Sequence, residues 1–180
     1  MNCRFCNSEL KHVFMDLGKT PLANSYLKKE ELEKKEKYYP LRVFVCSKCF
    51  LVQLEEFESP KEIFSEYAYF SSFSEKWLEH AQKFVESVTS RFNLDHQSKV
   101  LEIASNDGYM LQFFKDRKIP VLGVEPAVNI SKIANEREIP TITKFFGSDV
   151  AEEIAEEKEK QTLVIAFNVL PHTPNPTDFI

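Results

Sequence analysis

Two rhythms divide this chain near residue 99. Before it, the clearest repeat is helical: Trp77, Leu78, Ala81, Phe84, Val85 and Val88 recur at a period near 3.6 within residues 62–92. The segment EYAYFSSFS inside that stretch is too rich in aromatics and serines for a simple helix. After residue 99, short apolar runs alternate with amphipathic ones. KVLEIA (99–104), PVLGVE (120–125), PTIT (140–143) and TLVIAFNVL (162–170) have the pattern of buried strands. GYMLQFFKDR (108–117), NISKIANER (129–137) and SDVAEEIAEEKEK (148–160) predict helices, the last with Ser148 or Asp149 as its N-cap. Strands alternating with helices of this length form right-handed βαβ units around a parallel sheet. The expected class is α/β: the first four strands of a Rossmann-like sheet, preceded by a smaller domain. A doubly wound sheet usually has further strands beyond its switch point. TDFI at the end has the look of another element beginning, so the 180 residues read as a truncated chain.

Residues 1–60 follow neither rhythm. They carry all four cysteines in short, irregular segments. LKKEELEKKEKYY (27–39) predicts a solvated helix, and LRVFVC (41–46) a strand entering a cysteine knuckle. The expected organisation is a metal-binding domain over 1–60, a helical linker over 61–98 and the α/β domain over 99–180.

Composition narrows the partners. The net charge is −5 with 28% charged residues, and the basic residues are scattered among acids. A nucleic-acid binder would show a basic face. Sixteen phenylalanines against four glycines argue for a packed chain rather than a disordered one. The N-terminus MNCRFCNSEL has no apolar targeting core, and no run approaches a membrane span, so a cytoplasmic protein without a membrane partner is expected. In a reducing compartment, paired cysteines point to metal before disulfide.

Cys3-Arg-Phe-Cys6 and Cys46-Ser-Lys-Cys49 are two CxxC knuckles. Each places two sulfurs on one side of a tight loop, and two such loops complete the tetrahedron that Zn²⁺ prefers. A closed shell of four thiolates leaves no position for water, so the zinc would be structural. The gap of about 40 residues exceeds the usual ribbon spacing, which implies an insertion between the knuckles. A redox CxxC would need one pair beside a thioredoxin-like βαβ pattern, and neither pair has one. His12 is a possible substitute ligand, though a lone histidine near a knuckle is more simply a surface residue.

VLEIASNDGYML (100–111) carries the candidate cofactor site. Glu102, Ala104, Asn106 and Gly108 occupy the register of the methyltransferase motif E-x-G-x-G-x-G, with Ser105 and Asp107 between them. Ala104 is small, and Asn106 tolerates the left-handed conformation. Glu125, followed by Pro126, ends the second strand, where an acid can accept both ribose hydroxyls of a nucleoside cofactor. Dinucleotide sites need glycines for pyrophosphate to approach. Asp107 suits a pyrophosphate poorly and a cationic ligand better, which favours S-adenosylmethionine over a nicotinamide cofactor. After the fourth strand, Asn168 would sit near the methionine portion and His172 would face the substrate or simply lie on the loop surface. Phe146, with Phe145, would wall the adenine or join the core.

Taken together, DLGKTPLANSYL (16–27), EYAYFSSFSEKWLEHA, EIASNDGYML, GVEPAVNI and NVLPHTPN resemble the sugar C-methyltransferase family over nearly the whole chain. The resemblance implies a zinc-binding domain, a Rossmann-like class I methyltransferase domain and a further C-terminal α/β domain. It implies methylation of a ring carbon in a nucleotide-linked keto-deoxysugar, typically C3 of a dTDP-4-keto sugar. A proton leaves the carbon beside the ketone, and the enolate attacks the sulfonium methyl. By the same resemblance Tyr67, Tyr69 and His172 line the sugar site, with Tyr67 and His172 as the catalytic candidates. A Tyr-x-Glu-His cluster expected to supply the general base lies farther on in family members. Pro171 stands where they more often have a small residue. Two rival readings are a zinc-containing ribosomal-RNA methyltransferase and a non-enzymatic zinc and Rossmann interaction module.

Overall fold

The computed structural model describes residues 1–157 and 160–180. The chain forms two compact units: Met1–Ile63 with Thr173–Asp178 and Ile180, and Phe64–His172 with Phe179.

The first unit is an antiparallel sheet in the order β1-β2-β3, made of His12–Thr20, Tyr39–Val45 and Val52–Leu54. The expected strand over 41–46 is found: residues 41–45 lie in β2, which leads into Cys46. The expected helix over 27–39 is not formed: it is reduced to one 3-10 turn at Lys29–Glu31. The stretch has no apolar stripe to bury, and its Leu32 is 66% exposed. Helical propensity without a packed face does not sustain a short helix in water.

In the second unit the order is β6-β5-β4-β7, all parallel. The strands are β4 (Val100–Ile103), β5 (Val121–Val124), β6 (Thr141–Ile142) and β7 (Leu163–Ala166). The helices of the chain are α1 (Pro60–Phe64), α2 (Glu75–Phe92), α3 (Leu111–Lys115), α4 (Val128–Glu136), α5 (Ser148–Glu157) and α6 (Pro176–Phe179). Helices α3, α4 and α5 are the crossovers between successive parallel strands. The chain steps outward from β4 to β6 and then returns to the far side of β4 as β7. That reversal is the switch point beside which open α/β sheets bind ligands.

β4 is buried along its whole length. On one face, α2 buries Ala81, Val85 and Val88 in the same cluster as Val100, Phe114 and Ile139. On the other, Leu101, Ile103 and Val124 pack with Val150 and Ile154 of α5. Each fully buried valine or leucine of this kind stabilises by about 1.5–3 kcal/mol. Within the stretch 61–98, α2 thus contributes one side of the second unit's core. Ser74 caps α2, its side chain accepting from the Trp77 N–H at 3.3 Å, and Asn93 ends it in the left-handed conformation (φ 52°).

Two helix starts differ from expectation. α3 begins at Leu111 rather than Gly108, because Gly108 has φ +79° and cannot be a helical residue. α5 has Ser148 as its first helical residue, so neither Ser148 nor Asp149 stands before the helix as its cap. Asp149 instead accepts a hydrogen bond from the Val150 N–H at 2.8 Å. Residues 158–159 of that expected helix lie outside the described residues. Among the described residues no helix is long and apolar enough to cross a membrane.

Candidate active site and metal centre

The two knuckles converge. Cys3 and Cys46 are buried, and the four sulfurs lie within 4.8 Å of one another. Cys3 Sγ is 3.6 Å from Cys49 Sγ, and Cys6 Sγ is 3.5 Å from Cys46 Sγ. A zinc tetrahedron with bonds of about 2.3 Å has edges of about 3.8 Å. Gln53 donates from Nε2 to Cys3 Sγ at 3.2 Å, and the Lys48 N–H donates to Cys46 Sγ at 3.4 Å. Burial works to raise the Cys3 thiol, but hydrogen bonds from the Cys6 backbone, Gln53 and the Phe5 backbone draw it down to about 6. At Cys49 a backbone hydrogen bond from Leu51 is outweighed by burial and the other three sulfurs, which push it up to about 12. The sulfurs compete for charge when no cation is among them, and four thiolates together call for a metal ion. The residues present fit Zn²⁺. The β1–β2 hairpin fills the gap between the knuckles, and His12 stands outside the cluster, exposed on β1.

The candidate cofactor residues gather at the carboxyl ends of β4, β5 and β7. Ala104 (φ 55°), Asn106 (φ 50°) and Gly108 (φ 79°) are all left-handed, the three positions where the glycine motif would place glycines. An alanine in that conformation is strained by about 1–2 kcal/mol, and such strain concentrates at functional sites. Ser105 is fully buried, its Oγ unpartnered.

Two acids flank the loop. Glu125 is 6% exposed. Its Oε1 accepts from the Ala127 N–H at 2.9 Å and its Oε2 from the Asn106 N–H at 3.0 Å. Pro126 lies between Glu125 and the start of α4. Each carboxylate oxygen keeps a second lone pair, which is what a ribose diol would use. Burial raises the Glu125 carboxyl, opposed by those two N–H groups. Glu102 is completely buried, and neither of its oxygens has a hydrogen-bond partner. Burial pushes it well above the usual carboxyl range, and the nearby Tyr109 hydroxyl offsets this only in part. Unpartnered buried atoms at Glu102, Ser105 and Asp107 Oδ1 mark a polar site built to meet something beyond the chain's own groups.

Asp107 does not face such a site with a free charge. Its side chain is wholly buried, and Oδ2 accepts from Arg137 Nη1 at 3.1 Å and from the Ser72 hydroxyl. Phe146 packs with the Leu101–Ile154 cluster and meets Phe179 edge-on at 5.6 Å, while Phe145 stays exposed. Asn168 is left-handed (φ 55°) in the loop after β7.

The acceptor candidates come together through a residue the sequence reading missed. Phe64 meets Tyr67 at 5.4 Å and His172 at 6.0 Å between ring centroids, both edge-to-face. Tyr69 is half exposed. Also missed were Arg137, the partner of Asp107; Tyr109, buried beside Glu102 and stacked on Trp77 at 5.9 Å; and Asn129, hydrogen-bonded to Tyr67. Arg137 and Asn129 left no local signal in the sequence, since their partners lie far along the chain.

Residues 3–64 match the family model of a zinc binding domain, and residues 77–180 match that of a methyltransferase domain. The chain is 33% identical over 173 residues to the C-methyltransferase NovU of Streptomyces niveus, covering 96% of this chain and 41% of that protein. Among solved structures it overlaps the plantazolicin methyltransferase BpumL in complex with SAH (TM-score 0.40, 16% identity, 59% of this chain and 47% of that one). It also overlaps a SAM-dependent methyltransferase from Archaeoglobus fulgidus (TM-score 0.35, 17% identity, 42% of this chain and 33% of that one).

Proposed function

The chain belongs to the methyltransferase-domain family, with a zinc-binding domain ahead of it, and on that premise we propose that it serves methyl transfer from S-adenosylmethionine to a carbon of a nucleotide-linked keto-deoxysugar. The observation that carries the cofactor is the left-handed Ala104–Gly108 loop facing a Glu125 carboxylate pinned by two backbone N–H groups. Glu125 would accept the ribose hydroxyls, and Ala104, Asn106 and Gly108 let the backbone approach the nucleoside. When bound, S-adenosylmethionine supplies an electrophilic methyl carbon. The Tyr67–Phe64–His172 cluster supports an aromatic wall for the sugar. A phenolic hydroxyl is a hydrogen-bond donor, so the Tyr67 hydroxyl suits donation to the ketone oxygen as charge develops there. The proton beside the ketone would go to a base, and the enolate carbon would take the methyl group as the methyl–sulfur bond breaks, leaving S-adenosylhomocysteine.

Glu125→Ala is expected to weaken both S-adenosylmethionine and S-adenosylhomocysteine by roughly 1.5–3 kcal/mol, the scale of hydrogen bonds to a charged group. Both ligands share the ribose, so both should suffer alike in calorimetry. Unchanged affinity would remove Glu125 from the site and the cofactor assignment with it. For the acceptor, incubation with a dTDP-4-keto-deoxysugar in deuterated water reads proton removal separately from methyl transfer. With His172 as a wall residue, any exchange at the sugar carbon should persist in His172→Ala. Exchange that vanishes in that variant would make His172 the base.

A further inference from the structure

Residues 65–70 lie outside helix and strand, yet the backbone that carries Tyr67 and Tyr69 is not loose. Two asparagine side chains hold it. Asn129, near the start of α4, accepts from the Tyr67 N–H at 3.1 Å and donates from Nδ2 to the Tyr67 carbonyl at 2.8 Å. Asn106 donates from Nδ2 to the Tyr69 carbonyl at 3.1 Å and accepts from the Ser71 N–H at 2.8 Å. Each carboxamide thus pairs with one donor and one acceptor, as a neighbouring strand would. The backbone of Asn106 meanwhile belongs to the cofactor loop, its N–H donating to Glu125 Oε2 at 3.0 Å. One residue therefore touches the ribose-facing acid with its main chain and the aromatic segment with its side chain.

We infer that Asn106 is a positioning residue that couples the methyl-donor site to the aromatic segment Tyr67–Ser71. The inference rests on the functional reading above. It also accounts for an asparagine at φ 50°, where glycine adopts the same backbone at less strain. Glycine keeps the loop; only a carboxamide keeps the segment. A ligand that fixes the loop also fixes Asn106, and through it the backbone that presents Tyr69. By linkage, ordering that segment around an acceptor tightens donor binding by the same factor.

The test uses Asn106→Gly in the whole chain, with S-adenosylhomocysteine as the probe and residue-resolved amide hydrogen exchange as the readout. In the unsubstituted protein the probe should slow exchange at the Ser71 N–H by about tenfold, the scale of one to two hydrogen bonds. In Asn106→Gly the probe should bind about tenfold more weakly, the factor that linkage returns once the segment no longer orders with the loop. Exchange at Ser71 should then be fast and indifferent to the probe, while the Tyr67 N–H, held by Asn129, stays slow. Asn129→Ala should reverse the pattern, freeing Tyr67 and leaving Ser71 responsive. Probe-dependent slowing at Ser71 that survives Asn106→Gly overturns the coupling. So does binding to the unsubstituted protein with no change at Ser71. Unchanged affinity in Asn106→Gly would deny the linkage, and weakening far beyond the expected factor would mean that the side chain serves the loop itself; the inference fails on either result. Failure of the probe to bind the unsubstituted protein overturns the functional reading and the coupling together.

Discussion

Replacing Cys46 by serine is expected to unfold residues 1–63 while leaving the parallel sheet folded. The reason is the poverty of the first unit's core. Its buried apolar side chains are Cys3, Leu10 and Cys46, so two of the three belong to the four-cysteine cluster. β1 is exposed along nearly all of its length, with Phe14 and Leu17 each 61% exposed. Hydrophobic burial of that extent does not by itself offset the conformational entropy lost in ordering the unit. Structural zinc supplies binding free energy of about 10–16 kcal/mol in small zinc modules. A serine hydroxyl in place of the buried Cys46 thiolate opens the tetrahedron where it is driest. Metal analysis should give about one zinc per unsubstituted chain, as a closed four-thiolate site requires, and much less for Cys46→Ser. Amide exchange should lose the β1–β2 ladder in the variant and keep protection in β4 and β5. A variant that retains its zinc would show that Cys46 is not needed to hold the metal, and one that loses it yet keeps the β1–β2 ladder would show that the sheet stands without the metal.

The contrast between the two units also explains what the sequence disclosed. The knuckles were legible because ligand chemistry fixes residue type and spacing, whatever lies between them. The parallel sheet was legible because β4 is buried on both faces and reads as an apolar run broken only by Glu102. β1 was not, and its surroundings show why. Neither face of HVFMDLGKT is buried, and the pairing with β2 shifts register between Val13 and Met15 and again between Asp16 and Lys19. A strand of that kind carries no alternation to detect. The donor loop was readable as a backbone, since Ala104 and Asn106 stand where small or left-handed-tolerant residues are needed. Its support was not. Asp107 meets Arg137, Asn106 meets the Tyr69 carbonyl, and Tyr67 meets Asn129, all across long stretches of chain. Nothing local distinguishes these polar residues from solvated ones; only the fold selects them. The same holds for Phe64, which joins Tyr67 to His172.

Gly108→Ala is expected to destabilise the second unit by about 2–5 kcal/mol, the sum of left-handed strain of about 1–2 and overpacking of about 1–3. The loop's three left-handed positions separate these two costs. Ala104 and Asn106 carry side chains at φ 55° and 50°, so the backbone conformation alone is tolerable. At Gly108 a Cβ would also stand 2.4 Å from Ile139 Cδ1 and 3.3 Å from its Cγ2. Ile139 is 1% exposed in the core beneath the loop and has little room to retreat. The clash is therefore with one identifiable methyl group, and a double-mutant cycle can isolate it. Ile139→Val removes Cδ1 and by itself should cost about 0.5–1.5 kcal/mol. In the Gly108→Ala background the same change should be neutral or stabilising, a coupling of about 1 kcal/mol or more between residues in contact. The left-handed cost should remain, so the double variant stays below the unsubstituted protein. Trp77, the chain's one tryptophan, packs against the cluster that holds Ile139, so its fluorescence follows this unit through a urea titration. Strict additivity of the two substitutions would show that Ile139 does not exclude a side chain at 108, and that the glycine answers only to its φ.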